Sequence, residues 1–311
     1  MKHTFVCVGF PKCATTTVDA ILRGHPDLAL PCYKETIFFG EYKKYITGGG
    51  LEWYEKRYYG RDAAKYKNKI LGEINPVNIG NGNVERNILD AFGEDTKIIY
   101  FLRNPVDAVF SFISHLEVNG DAYAAAEKNM WREGFFDSYV EEYLYSKARD
   151  CGERNRFYLY LYGRYIATAL KYVPRQNIHI MLFEDFVLDA ESEVKKLLAF
   201  IGARTDVALD YKKKENIGKR IPRNVRVIKK ASRLFSFWAN VWVMQAGYLG
   251  ERMERMLDDW YWSLSDWASV RTDKDLSMSA STRKKLADFY RQDVVLLDRV
   301  LGTNYQQRWK I

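Results

Sequence analysis

The sequence predicts an α/β fold in which a central parallel sheet is flanked by helices on both faces. Short apolar runs rich in β-branched residues alternate along the chain with segments of helical periodicity. The first run, "FVCVG" at residues 5–9, passes through a tight Gly/Pro turn into a helical pattern. Strands separated by helices form parallel sheets whose ligands bind at the carboxyl ends of the strands, so we expect the functional site there.

Three further strands and two helices are delimited by their own residues. The strands are predicted within "KILGEINP" (69–76), "KIIYFLRNP" (97–105) and "NIHIMLFEDF" (177–186). The helices are predicted in "SEVKKLLAFIG" (192–202) and "STRKKLADFYRQDVVLLDRVLG" (281–302), and each ends at a glycine.

The domain organisation is predicted from composition. Residues 225–275 are Trp-rich and predict a helical annex or lid. No internal repeat or low-complexity linker marks a boundary, and 311 residues at 47% hydrophobic composition are enough for one substantial core. We therefore expect a single domain over residues 1–311 that contains the annex.

The segment "FVCVGFPKCATTT" (5–17) predicts a strand, a tight loop and a helix that together bind a phosphate-like anion. Backbone N–H groups at a helix start point toward such a ligand, and the positive end of the helix dipole favours negative charge. Lys12 adds a full charge, and hydroxyl donors follow at Thr15, Thr16 and Thr17. The predicted sheet and loop therefore resemble those of P-loop proteins.

Two other phosphate chemistries fit this loop poorly. The nucleoside-triphosphate pattern G-x-x-x-x-G-K-S/T is absent, because the lysine comes early and no Gly-Lys pair precedes the hydroxyls. Cys13 suggests a phosphatase nucleophile, but that loop needs an arginine about six residues on, where Asp19 stands.

The segment "YFLRNPVDAVFSFISH" (100–115) predicts a second anion site. A strand of this kind in a kinase-like protein would end at an aspartate for Mg²⁺, whereas this one ends at Arg103. An arginine fork and a hydroxyl match phosphate oxygens well, so Arg103 and Ser111 are predicted to converge on a second phosphate.

These motifs resemble those of the sulfotransferases that use 3′-phosphoadenosine 5′-phosphosulfate (PAPS). "GFPKCATTT" is similar to the family's 5′-phosphosulfate loop, P-K-S/C-G-T-T/S, with Ala14 in place of the common glycine, and "RNPVDAVFS" is similar to its 3′-phosphate motif. Three segments resemble the carbohydrate-modifying, heparan-sulfate-type branch and bacterial small-molecule sulfotransferases: "HPDLALPCYKETIFF" (25–39), "GEINP" (72–76) and "ENIGKRIPRN" (215–224). The similarity runs in order over residues 4–224, with a weaker match at 281–302.

The resemblance implies a PAPS-dependent sulfotransferase that releases 3′,5′-bisphosphoadenosine (PAP) and uses no metal. The implied cofactor-binding residues are Lys12, Cys13, Ala14, Thr15, Thr16, Thr17, Arg103, Ser111, Lys219 and Arg220. Of the implied catalytic residues, Glu35 is the base, Lys12 stabilises the leaving phosphate and Glu73 orients the acceptor or a catalytic side chain.

His115 is weighed separately, because aryl and steroid sulfotransferases use a histidine base. Theirs lies on a different segment, between the two phosphate motifs, and this chain has no histidine from residue 26 to 114. His115 is therefore expected to be a neighbour of the active site, and a histidine that merely packs on its helix stays open.

Two other function classes are considered. A P-loop small-molecule kinase would share the fold and the loop, but no Mg²⁺ ligand is found in the sequence. A nucleic-acid-binding module would account for the net charge of +8, but the basic residues are scattered among acids. We expect no nucleic-acid partner.

Compartment and acceptor are predicted more coarsely. Four cysteines without metal-ligand spacing, no cleavable signal before the first strand and no stretch apolar enough to span a bilayer predict a cytoplasmic protein. The predicted acceptor is a hydroxyl or amine of a small molecule or saccharide, and the lack of long basic runs argues against a dedicated long-polysaccharide enzyme. A homo-oligomer stays open.

Overall fold

The structure is a computed structural model of the chain, and it describes twelve stretches of it. These are residues 3–32, 34–36, 38–40, 50–60, 66, 68–79, 84–115, 134–145, 156–212, 219–222, 269–272 and 277–311. The side chains at 115, 219–222 and 269–272 are outside this description.

Five parallel strands form the central sheet, in the order β2-β3-β1-β4-β5. In chain order they are β1 (Phe5–Gly9), β2 (Leu28–Ala29), β3 (Ile70–Ile74), β4 (Lys97–Leu102) and β5 (Ile178–Leu182). The predicted α/β fold is therefore confirmed, and all four sequence-predicted strands are present. The chain crosses from β3 to β4 on the other side of β1, so the order reverses at the carboxyl end of β1, where open α/β sheets bind their ligands.

The middle of the sheet is buried on both faces. All five residues of β1 are buried, as are Ile98–Leu102 of β4, which explains why these strands read as continuous apolar runs. Gly72 of β3 pairs with Phe5, and a Cβ at Gly72 would lie 2.2 Å from the Phe5 ring. Only glycine at this position lets β3 approach that ring.

Helices come between and after the strands along the chain. Their bounds are α1 (Thr15–Leu22), α2 (Gly50–Tyr58), α3 (Val84–Phe92), α4 (Pro105–His115), α5 (Phe135–Tyr143), α6 (Tyr162–Ala169), α7 (Phe183–Leu188), α8 (Ala190–Ile201), α9 (Ala280–Leu301) and α10 (Tyr305–Trp309). Short 3₁₀ helices lie at Pro76–Asn78, Tyr158–Tyr160 and Arg175–Asn177. The predicted helix stop of α8 is confirmed, since Gly202 caps it in the left-handed region at φ 80°.

Helix α9 is joined to the start of α6 by a buried carboxylate. Asp293 Oδ2 accepts from the Gly163 amide at 2.7 Å, and Asp293 Oδ1 accepts from the Arg164 amide at 3.0 Å. These are unpaired donors of the first turn of α6, where the helix dipole also favours a negative charge. The carboxylate therefore fixes the C-terminal part of the chain against the helix that precedes β5.

The chain divides into two compact units. One comprises Met1–Val109, Lys147–Asn216 and Arg283–Ile311, and it contains the parallel sheet. The other comprises Phe110–Ser146 and Ile217–Thr282, and within it β6 (Lys219–Pro222) pairs antiparallel with β7 (Ser269–Thr272). The single-domain organisation stays a prediction. Within the Trp-rich segment 225–275, residues 269–272 form a strand where a helix was predicted, and the rest lies outside the described residues.

In the part of the chain that the structure describes, no helix has the length and apolarity needed to cross a membrane.

Candidate active site

The loop between β1 and α1 is tightly bent. Two residues without a glycine's freedom, Lys12 (φ 65°) and Ala14 (φ 67°), adopt the left-handed backbone that L-residues rarely take. Ala14 is the N-cap of α1 and brings no side-chain cap. The common glycine of the resembled motif suits this position, because glycine adopts the same backbone without steric cost.

Cys13 directs its side chain into the protein. Its side chain is fully buried, its Sγ donates to the Pro11 carbonyl at 3.4 Å, and burial raises the pKa of the thiol. A thiol held protonated in this way is a poor nucleophile. The structure therefore agrees with the rejection of phosphatase chemistry, and only the Cys13 backbone remains suited to anion binding.

Lys12 lies in a concentration of positive charge. Burial, followed by the neighbouring charges of Arg103 and Lys34, lowers the pKa of its ammonium to about 8, while Cys13 and Glu35 act in the opposite direction. Among the described residues, no group accepts a hydrogen bond from the Lys12 ammonium. A partly buried cation beside two others is stabilised by an anion placed between them.

Lys34 connects the segment that precedes α2 to the loop. Its Nζ donates to Glu35 Oε1 at 2.7 Å, to Thr16 Oγ1 at 3.1 Å and to Thr15 Oγ1 at 3.5 Å. One ammonium therefore holds a carboxylate beside the start of α1.

Glu35 keeps an accessible carboxylate. Its side chain is 40% exposed while that of Lys34 is 18% exposed, and its backbone is left-handed at φ 64°. A non-glycine residue in this region is uncommon, and such residues cluster at functional sites. The partly exposed Glu35 carboxylate is therefore accessible from outside the protein.

Glu73 is the centre of a buried hydrogen-bond cluster. Its Oε1 accepts from Thr36 Oγ1 at 2.7 Å and from Asn75 Nδ2 at 2.8 Å, and its Oε2 accepts from the Tyr54 hydroxyl. Burial raises the pKa of the carboxyl, and these donors oppose the rise. Glu73 is 1% exposed, and its contact with the segment 34–36 runs through Thr36. Its role in orienting an acceptor or a catalytic side chain stays a prediction.

Arg103 lies beside the loop, as predicted for the end of β4. Its Nη1 donates to the Lys12 carbonyl at 3.2 Å, and its guanidinium carbon lies 4.2 Å from the centroid of the Phe183 ring. Ser111 lies in the second half of α4 (Pro105–His115). Its convergence with Arg103 stays a prediction.

Other predicted residues are described only in part. His115 ends α4, and Lys219 and Arg220 lie in β6, but their side chains are outside the described residues. Among the described residues, no group of three or more His, Cys, Asp or Glu side chains is placed to hold a metal ion. The metal-independent chemistry stays a prediction.

The structure adds partners that sequence reasoning missed. Thr36 and Tyr54 bind Glu73, and Phe183 stacks against Arg103. Thr36 directly follows the Lys-Glu pair, which was the one available signal. Tyr54 and Phe183 are one aromatic each among 22 tyrosines and 17 phenylalanines, so nothing in the sequence separates them from core residues.

Comparison with known proteins identifies the family of the chain. A model of the sulfotransferase domain matches residues 2–220, and the chain therefore belongs to the sulfotransferase family. A curated relative, the membrane-associated sulfotransferase kil1 of Dictyostelium discoideum, is 31% identical over 107 residues, which are 34% of this chain and 21% of kil1. The chain thus matches about a fifth of the length of kil1.

Among solved structures, the sulfotransferase from Alicyclobacillus acidocaldarius is similar in fold. The TM-score is 0.63 at 20% sequence identity, and the alignment covers 100% of both chains. The five-stranded parallel sheet flanked by helices is therefore the sulfotransferase fold.

Proposed function

We propose that this sulfotransferase moves the sulfuryl group of PAPS to a hydroxyl or amine of a small-molecule or saccharide acceptor. The observation that carries the proposal is the meeting of three cations, Lys12, Lys34 and Arg103, around the loop between β1 and α1, with the carboxylate of Glu35 beside them. A nucleotide with a 5′-phosphosulfate and a 3′-phosphate matches this charge, because it would give Lys12 and Arg103 anionic partners.

The nucleotide is proposed to lie across the loop. Its 5′ end is assigned to the start of α1, where backbone N–H groups point outward and the helix dipole is positive. Its 3′-phosphate is assigned to Arg103 and Ser111. The residues proposed to complete the 5′ site are Cys13, Ala14, Thr15, Thr16 and Thr17, and Lys219 and Arg220 are proposed to close over the nucleotide.

The proposed reaction is an in-line transfer. PAPS supplies an activated sulfuryl group, whose sulfur forms a bond to the acceptor as its bond to the 5′-phosphate oxygen breaks. Glu35 takes the proton that the acceptor loses, and Lys12 stabilises the negative charge left on the phosphate. Lys34 keeps Glu35 near the loop, since the same ammonium binds the carboxylate and both threonine hydroxyls.

Glu73 is proposed as a positioning residue. It holds Thr36, and Thr36 follows Glu35 directly in the chain, so the buried cluster fixes the backbone on which the base is carried. His115 is proposed to lie near the site without transferring the proton.

The experiment that tests the function compares three ligands in thermal unfolding. PAP should stabilise the protein strongly, since a ligand at about 100 times its Kd adds about 2.7 kcal/mol. ATP with Mg²⁺ and a short oligonucleotide should stabilise it much less, and Lys12→Ala should reduce the effect of PAP. Sulfuryl transfer from PAPS, followed by release of PAP, should continue in EDTA.

A larger effect of ATP with Mg²⁺ than of PAP, with no transfer in EDTA, would favour a kinase. Stabilisation by the oligonucleotide alone would favour a nucleic-acid-binding module.

A further inference from the structure

Asn104, the residue after Arg103, joins three separate parts of the chain. Its Nδ2 donates to the Trp309 carbonyl at 3.2 Å, its backbone N–H donates to Glu184 Oε1 at 2.7 Å, and its Oδ1 accepts from the Val106 amide at 3.0 Å. The Asn104 carbonyl accepts from the Ala108 amide at 2.8 Å. The turn that ends β4 is thereby bound to α4, α7 and α10 at once.

The acceptor that α10 offers is itself fixed. Trp309 is buried, and its ring stacks on Tyr305 with centroids 5.0 Å apart. Arg308 pairs with Asp185 of α7, its Nη1 lying 3.1 Å from Asp185 Oδ2. The burial of Trp309 and the pairing of Arg308 with Asp185 therefore fix α10, and with it the Trp309 carbonyl, against α7.

Arg103 depends on the same surroundings. Its guanidinium rests on Phe183, the first residue of α7, and on the Lys12 carbonyl, while Glu184 holds the next peptide. A free arginine side chain loses rotamer entropy when it is fixed on a ligand. A turn that already fixes the arginine therefore raises its affinity for an anion by preorganisation.

We infer that Asn104, Glu184 and helix α10 position Arg103 for the 3′-phosphate of the nucleotide. This inference rests on the proposed function, which assigns that phosphate to Arg103. None of the three is assigned a contact with the phosphate itself. They act through Arg103, so they set how well the protein distinguishes a 3′-phosphorylated nucleotide from one without that phosphate.

The test removes the link to α10 and keeps the cap of α4. In Asn104→Ser the hydroxyl still caps α4, because serine and asparagine are similar N-caps, but the amide that reaches Trp309 is lost. The readout is the preference for PAP over adenosine 5′-monophosphate, measured as the ratio of their Kd values by calorimetry. We expect Asn104→Ser to reduce this preference about fivefold, the worth of one net hydrogen bond, while adenosine monophosphate binds as before.

Two comparisons make the result specific. Asp189→Ser alters the N-cap of α8, where Asp189 accepts from the Ser192 amide, and should leave the preference unchanged. Glu184→Leu removes the acceptor of the Asn104 amide and should reduce the preference, whereas Glu184→Gln keeps an acceptor oxygen and should retain it. If Asn104→Ser does not fold, the two Glu184 variants alone test the positioning role.

The outcomes separate the inference from the function. Wild-type protein that prefers PAP, with Asn104→Ser and Glu184→Leu that prefer it equally well, would overturn the positioning role and leave the proposed function intact. If the variants bind PAP and adenosine monophosphate more weakly by the same factor, the effect is merely structural, and the positioning role is again overturned. Wild-type protein with no preference for the 3′-phosphate would overturn both.

Discussion

The ion pair of Lys34 and Glu35 fixes the position of the Glu35 carboxylate and contributes little to the stability of the fold. Both side chains are partly exposed, and such pairs contribute about 0 to 1 kcal/mol to folding. Because Lys34 also binds the hydroxyls of Thr15 and Thr16, the pair keeps the Glu35 carboxylate within reach of the loop. A general base must lie within reach of the proton that it accepts, and the contacts of Lys34 hold the Glu35 carboxylate near the loop.

Removing the proton-accepting ability of Glu35 tests its role. Glu35→Gln keeps the size of the side chain, so we expect turnover of PAPS to fall about 10²-fold or more with little change in the Kd of PAP. Single-turnover conversion of PAPS to PAP, with an acceptor selected by screening hydroxylated and amine-bearing compounds, measures the effect.

The controls for Glu35→Gln separate charge from chemistry. Glu52→Gln removes an exposed carboxylate that pairs with Lys56 on α2, and it should leave turnover unchanged. His115→Asn should cost less than Glu35→Gln. A nearly active Glu35→Gln beside an inactive His115→Asn that still binds PAP would transfer the role of base to the histidine.

The lowered pKa of Lys12 predicts a pH dependence of nucleotide binding. In the free protein the ammonium loses its proton near pH 8, while the phosphates of PAP stay fully ionised above pH 7. Affinity should therefore be complete below about pH 8 and fall by up to about tenfold per pH unit above it. Calorimetry between pH 7 and 9.5 measures this, and Lys12→Arg, which stays protonated, should show no such fall.

The pH dependence of the protein's stability has the opposite sign to the pH dependence of its affinity for PAP. An unfolded lysine titrates near 10.5, so between about pH 8 and 10.5 the folded chain binds fewer protons than the unfolded chain. The free protein should gain stability over that window while it loses affinity for PAP. Parallel changes in both quantities would show that Lys12 is not the titrating group.

At the scale of elements, the site is made by the reversal of strand order at β1. The loop after β1 and the turn after β4 leave neighbouring strands at the same edge of the sheet, which brings Arg103 to the Lys12 carbonyl. The segment 34–36 is held to the same place by two contacts, Lys34 to the loop and Thr36 to Glu73 at the end region of β3. Three crossover connections therefore supply one site.

Local pattern predicted the elements that carry their own signal. β1 and β4 are apolar runs that end at Gly9 and before Arg103, and the loop was readable because Lys12 and the hydroxyls follow β1 directly. β2 is only the pair Leu28–Ala29, too short for any periodicity, and it was missed. The strand order depends on crossovers that leave no local trace.

The supporting contacts of the site were equally beyond local pattern. Asn104 and Trp309 lie 205 positions apart, and Glu73 and Tyr54 lie 19 apart. Glu73 was predicted to orient a group, but its complete burial follows from packing that only the folded chain shows.

The junction of α6 and α9 gives a prediction at this scale. A Cβ at Gly163 would lie 2.2 Å from the Asp293 carbonyl oxygen and 2.9 Å from the Leu297 amide nitrogen, both of them backbone atoms that cannot rotate away. Gly163→Ala should therefore destabilise the protein by about 1 to 3 kcal/mol through overpacking, although alanine is the better helix former. Denaturant unfolding measures the change.

The matched control for Gly163→Ala lies on the exposed face of the same helix. Thr168 is exposed and donates to the Arg164 carbonyl, so Thr168→Ala should change stability by about 0.5 kcal/mol at most. An equally stable Gly163→Ala would mean that α9 does not approach α6 so closely.

At the scale of the whole molecule, folding encloses a histidine that has to stay neutral. His3 is fully buried, its ring stacks on Phe92 with centroids 4.2 Å apart, and its Nε2 lies 2.7 Å from the Tyr59 hydroxyl. The Tyr59 hydroxyl donates to the Gly72 carbonyl at 3.0 Å, so Nε2 carries the proton and donates to Tyr59. Burial lowers the pKa of His3 to about 3.

This histidine should make the free energy of unfolding fall in acid. Between pH 6.5 and about 3 the unfolded chain binds a proton at His3 that the folded chain does not, so stability falls by up to about 1.4 kcal/mol per pH unit as the pH drops. His3→Phe keeps an aromatic ring against Phe92 and cannot take up a proton. Its stability relative to wild type should therefore improve steadily from pH 7 to pH 4 in urea unfolding.

Tyr59→Phe removes the hydrogen bond and leaves His3 titratable, so it should be less stable at every pH and keep the wild-type slope. If His3→Phe and wild type lose stability in parallel, another group accounts for the acid sensitivity.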